Sequence, residues 1–91
     1  ADLLSRLARV AFDLGRYDVA RAYSEKLLAL VDEEHIYYCD AHILLGHLAY
    51  ATDTADQALE HYEKVLAAPG PTEEQREVVL AAIAGLRARF Q

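Results

Sequence analysis

Apolar positions recur along this chain with helical rather than strand spacing. Leu4, Leu7, Ala11 and Leu14 mark one face of a helix over residues 2–14, and Gly15 then supplies a stop that tolerates left-handed backbone. Asp18 is positioned to cap a second helix with the buried stripe Ala20, Tyr23, Leu27 and Leu30, ending near Val31. The short Gly15-Arg16-Tyr17 link makes these two helices antiparallel neighbours. Asp32 is read as the cap of a third helix, with Glu33 and Glu34 in its first turn and apolar spacing through Tyr38, Ala41, Leu45, Leu48 and Ala49 to Ala51. Thr52-Asp53-Thr54 interrupts the pattern. A fourth helix over residues 55–68 carries Ala58, Tyr62, Val65 and Leu66 and stops at Pro69-Gly70-Pro71. A fifth follows over residues 73–90, opened by the capping box Thr72-x-x-Gln75, with Val79, Ile83, Leu86 and Phe90 on one face.

Within this pattern the chain repeats itself. Asp18, Ala20, Glu25, Lys26, Leu28 and Ala29 recur thirty-eight residues on as Asp56, Ala58, Glu63, Lys64, Leu66 and Ala67. Leu7 and Ala11 recur as Leu45 and Ala49 at the same offset. A fixed period of this size marks stacked supersecondary units, each burying its apolar face against its neighbours. The expected fold is therefore all-α: five helices forming one domain over residues 1–91. Repeat one spans 2–31, repeat two spans 32–69, and a C-terminal helix spans 72–90.

The second unit reads His42-x2-Leu45-Gly46-x2-Ala49, then Ala58-x3-Tyr62, with Pro69 near its end. The first reads Leu4-x2-Leu7-Ala8-x2-Ala11, then Ala20-x3-Ser24. Over nearly the whole chain this resembles the tetratricopeptide repeat, whose pattern is W-x2-L-G-x2-Y, then A-x3-F, then P. There are departures: no Trp occupies either first position, Ala11 and Ala49 replace an aromatic, and Ser24 stands where the first unit would carry one. The period also exceeds the family's by four residues, which the simplest reading places at the start of the third helix, through His35 to Tyr38. The resemblance implies a short α-solenoid of antiparallel hairpins that acts as an adaptor or scaffold for protein binding.

Composition narrows the partner class. A formal net charge of −6, with nine basic residues scattered and unclustered, lacks the footprint of nucleic-acid binding. The longest apolar run, Val78 to Ala84, is far short of a membrane span. The single cysteine, Cys39, has no internal disulfide partner, and no signal-peptide pattern is present, so a reducing, cytoplasmic compartment is expected.

On the first helix of each unit a second stripe remains outside the hairpin: Ser5, Arg9 and Phe12 in one, and Ile43, His47 and Tyr50 in the other, both at i, i+4, i+7. The two are equivalent under the repeat. By resemblance, these positions together with Asp2, Asp13, Asp40 and Ala51 line the inner, concave face that grips a peptide or a partner helix. Phe12 and Tyr50 would then supply anchor area, while Arg9 and His47 orient a polar group. The clamp of Lys, Asn and Arg with which some family members hold a chaperone's carboxy-terminal tail is not matched by Ser5, Arg9, Ile43 and His47.

Other chemistry finds little support. His35, Cys39 and His42 share one face of the third helix, yet His35 and His42 are about 10 Å apart along the axis, too far to share one ion. No metal and no cofactor is therefore expected, and His42 and Cys39 are read as packing residues. No nucleophile elbow, phosphate loop or H-E-x-x-H signature appears, so the chain is read as non-enzymatic, with His61 a surface residue. On the fifth helix, Ala81, Ala84, Gly85 and Ala88 form a small-residue face beside its apolar stripe. This face suits either a continuing array or self-association, making a homo-oligomerisation module or a segment of a larger repeat protein the alternative function.

Overall fold

The structure, a computed structural model, describes residues 2–52 and 54–90, excluding the side chain of Phe90. The expected break at Asp53 and the apolar role of Phe90 lie outside the described residues. Five helices follow in order: α1 (Asp2–Asp13), α2 (Tyr17–Leu30), α3 (Ile36–Ala51), α4 (Ala55–Ala67) and α5 (Glu73–Phe90). Among the described residues there is no strand. α1 and α2 form one hairpin, α3 and α4 a second stacked on it, and α5 covers the far side of the second.

The turn between α1 and α2 shows how closely the two units agree. Gly15 takes a positive φ of 78°, which lets its N–H reach the Phe12 carbonyl at 3.0 Å and the Arg16 N–H reach that of Ala11 at 2.8 Å. These are the paired bonds of a Schellman ending. Thirty-eight residues on, the Thr54 N–H donates to the Ala49 carbonyl at 2.9 Å, the counterpart of the Arg16 bond. Thr54 adds its own hydroxyl to the same carbonyl, also at 2.9 Å.

Two helix starts differ from the sequence reading. α2 begins at Tyr17 after Arg16, so Asp18 lies inside the first turn, where its charge complements the dipole without capping an N–H. α3 begins at Ile36 rather than after Asp32. The Asp32 carboxylate accepts from the Glu34 N–H at 3.1 Å, closing a local turn, and His35 takes over as the cap by accepting from the Tyr37 N–H at 3.2 Å. The longer period is therefore absorbed partly by this turn and partly by an extra stretch of α3. The Thr72/Gln75 capping box forms as read, with bonds of 2.8 and 3.1 Å.

The core is unevenly shared. Its larger part lies among α3, α4 and α5, built from Cys39, Ile43, Ala58, Tyr62, Val65, Val79, Ile83 and Leu86. A smaller part joins the hairpins through Ala11, Ala20, Leu45 and Leu48. In the first hairpin the buried residues are small, Ala8, Ala11, Ala20 and Ser24, with Leu27 the large exception. Leu7, Leu14 and Leu30, all expected to face inward, are exposed. Ala8 and Ser24 occupy buried positions instead.

Candidate functional site

α1, α3 and α5 lie side by side on one face of the stack, and the stripes read from the sequence converge between them. Two hollows of about 410 and 400 Å³ open there. The first is polar at its mouth: Ser5, Arg6 and Arg9 come from α1, Asp40, Ile43 and His47 from α3, and Glu74, Gln75 and Val78 from α5. The second is apolar, walled by Phe12, Tyr50, Tyr62, Ala82 and Gly85, with Ala51 at its edge. His47 lines both, so the two form one groove that changes from charged to apolar along its length. Of the ten positions named from the sequence, eight line this groove, and Asp2 and Asp13 do not. Asp13 lies with its carboxylate 3.9 Å from the Arg9 guanidinium, and Asp2 is bonded to Arg6 at 3.1 Å and to the Tyr37 hydroxyl at 2.7 Å.

Helical periodicity fixes the positions of these side chains but not their bonds. The His47 Nδ1 lies 2.7 Å from the Tyr62 hydroxyl. Burial, with a smaller contribution from Tyr50, pushes the Tyr62 phenol up to about 12, so it stays protonated. Burial and then the Arg9 guanidinium lower His47 from its ordinary value, keeping the ring neutral near pH 7. The neutral ring and the phenol share this bond, with the donor set by the imidazole tautomer. His47 is thus held by the core as well as by the groove, a dual role invisible in the sequence.

The groove's two ends are closed by α5. Gln75 Nε2 donates to the Asp40 carboxylate at 2.8 Å and to the Ile36 carbonyl at 3.2 Å, fastening the start of α5 to α3. At the other end the Arg89 guanidinium donates to the Tyr50 hydroxyl at 3.0 Å and lies 5.2 Å from the ring centroid. Cations suit a helix C-terminus, but the reach of Arg89 across to α3 is not legible in helical spacing. Phe12 packs against Tyr17 and His47, with centroids 5.6 and 6.1 Å away.

The residues that raised a metal question serve separate purposes. His35 caps α3 and stacks on Tyr37, while Cys39 is fully buried, with its thiol pushed up by burial. His42 is buried between α3 and α4. His61, expected at the surface, is instead half-buried, its Nδ1 3.0 Å from that of His42. Among the described residues no three His, Cys, Asp or Glu side chains group as metal ligands. Also among them, no helix is long and apolar enough to cross a membrane.

A family model described as Tetratricopeptide repeat matches residues 1–69 of this chain. No curated protein and no solved structure matches it.

Proposed function

The chain belongs to the tetratricopeptide repeat family, whose repeats generally mediate protein–protein interactions, and from that premise we propose that the α1/α3/α5 groove holds a segment of a partner protein. The observation that carries this reading is the position of His47. It joins a hollow lined by charges of both signs, Arg6, Arg9, Asp40 and Glu74, to an apolar one walled by Phe12 and Tyr50. A groove graded in this way suits a short segment with an aromatic or aliphatic anchor at one end and a polar or acidic group at the other. The module acts by binding, without a metal, cofactor or catalysis of its own, and the lone buried thiol suits a reducing, cytoplasmic setting.

A random peptide library selected on the chain, followed by amide shift mapping of the selected peptide, tests this. The expected shifts centre on Phe12, Ile43, His47, Tyr50 and Gly85, and the double variant Arg9→Ala, Tyr50→Ala abolishes binding. Peptides that bind the double variant as tightly as the parent would overturn the groove reading.

A second reading draws on α5. Ala81, Ala84 and Ala88 are exposed, and a Cβ added at Gly85 would meet nothing within 4 Å, so this small-residue face is open to a packed helix. Self-association through it, tested by the effect of Ala84→Glu on oligomeric state, is the alternative.

A further inference from the structure

The first hairpin carries an apolar face that its own internal copy shows covered. On α1 and just beyond its end, Leu3, Leu7, Val10 and Leu14 follow one another at spacings of four, three and four residues, a helix-packing seam. Leu3 is 68% exposed, Val10 54% and Leu14 69%; Val19 and Leu30, at opposite ends of α2, extend the exposed apolar set. Thirty-eight residues on, Leu3, Leu7 and Val10 become Ala41, Leu45 and Leu48, exposed by only 2%, 7% and 0%. Leu45 and Leu48 pack with Ala20 and Leu28 of α2. The same helix face is thus an interface on α3 and bare on α1.

We propose that two copies of this chain associate face to face through α1. The seam reads the same in both directions, so a two-fold axis between Leu7 and Val10 sets Leu3 against Leu14 of the second copy and Leu7 against Val10 of the second copy. That self-matching is what an isologous dimer requires. The flanking charges match in the same register. Arg6 and Asp13 border the seam on one side, near opposite ends, and antiparallel packing sets Arg6 of one copy beside Asp13 of the other. Within one copy these two side chains are exposed and, among the described residues, make i, i+4 pairs, Arg6 with Asp2 and Asp13 with Arg9, which cost little to exchange. Leu3, Leu7, Val10 and Leu14 do not line the groove, although Arg6 borders both it and the seam, and the Ala81 to Ala88 surface is on a different helix.

Sedimentation velocity across a concentration series tests the proposal, with far-UV circular dichroism to show that each variant stays helical. Parent chains are expected in a monomer–dimer equilibrium. Leu7→Glu, which would bury an unpaired charge, is expected to weaken it by at least ~100-fold. Arg6→Glu and Asp13→Arg each weaken it, the two together restore it, and Ala84→Glu on α5 leaves it unchanged. A chain that remains monomeric at about 1 mM overturns the proposal. So does a dimer indifferent to both Leu7→Glu and Val10→Glu, or one abolished by Ala84→Glu, which would move the contact to α5.

Discussion

Gly46 and Tyr62 occupy the space of a single contact: a Cβ on Gly46 would overlap the Tyr62 ring. Their counterparts in the first hairpin, Ala8 and Ser24, are both buried too, with a methyl on one helix and a small hydroxyl on the other. Both units bury this pair of equivalent positions and fill it with different residues. Gly46→Ala is accordingly expected to destabilise by about 1–3 kcal/mol in urea melts, overpacking outweighing a gain of up to ~1 kcal/mol in helix propensity. Tyr62→Leu, added to it, should recover part of that loss. A Gly46→Ala chain more stable than the parent would show that the ring gives way freely.

Ser24 carries the opposite consequence. Its side chain is fully buried, and its Oγ has no hydrogen-bond partner among the described residues. A hydroxyl in that position gives up hydration without return, at a cost of about 1–3 kcal/mol. Ser24→Ala removes the orphaned group and improves helix propensity, so the unfolding midpoint should rise, by about 1 kcal/mol or more in stability. A lower midpoint would mean that the hydroxyl has a partner in solution.

These two positions show what periodicity carries and what it leaves out. The repeat placed Tyr62 and Ser24 at equivalent inward sites, and Phe12 and Tyr50 at equivalent sites on the groove, because a helical offset determines which face a residue occupies. Burial depends on whether another helix is present. Leu7 and Leu45 share one face and one identity, yet Leu7 is exposed and Leu45 buried, since α2 covers only the second. Contacts between helices were likewise not encoded in spacing: His61 reaches His42 across α3 and α4, and Arg89 reaches Tyr50 across α3 and α5. Caps were legible only where two residues cooperate. Thr72 and Gln75 form the box as read, whereas Asp32 was diverted into a turn two residues long.

Gln75 links a helix start to the groove's geometry. Its carbonyl oxygen caps Thr72, and its amide nitrogen bonds Asp40 and the Ile36 carbonyl on α3. Gln75→Ala loses a cap and two bonds between helices, for an expected cost of about 1–3 kcal/mol. Because α5 forms one wall of the groove, hydrogen exchange in its first turns should accelerate before that in α3. Unchanged exchange at residues 73–78 would show that apolar packing alone fixes this helix.

The His42–His61 pair makes stability depend on mild acid. Their Nδ1 atoms lie 3.0 Å apart, so one ring donates and the other accepts, an arrangement that needs at least one neutral ring. Burial, then His61 and Lys64, lower His42 to about 4. Burial lowers His61 too, aided by Lys64 and Arg21 and opposed by Glu60. The surrounding surface also presents Glu25, and Tyr38 meets the His42 ring edge-on at 4.6 Å. Between the unfolded histidine value, about 6.5, and the folded ones, the unfolded chain binds more protons. Stability is therefore fully present above pH ~6.5 and falls as the pH drops toward 4, with a limiting slope of about 1.4 kcal/mol per pH unit for each histidine. His42→Phe keeps a ring against Tyr38 and removes one titrating group. The loss of stability between about pH 7.5 and pH 5, read from urea midpoints, should thus be smaller in this variant than in the parent. Equal losses in the two chains would assign the acid sensitivity to groups other than this pair.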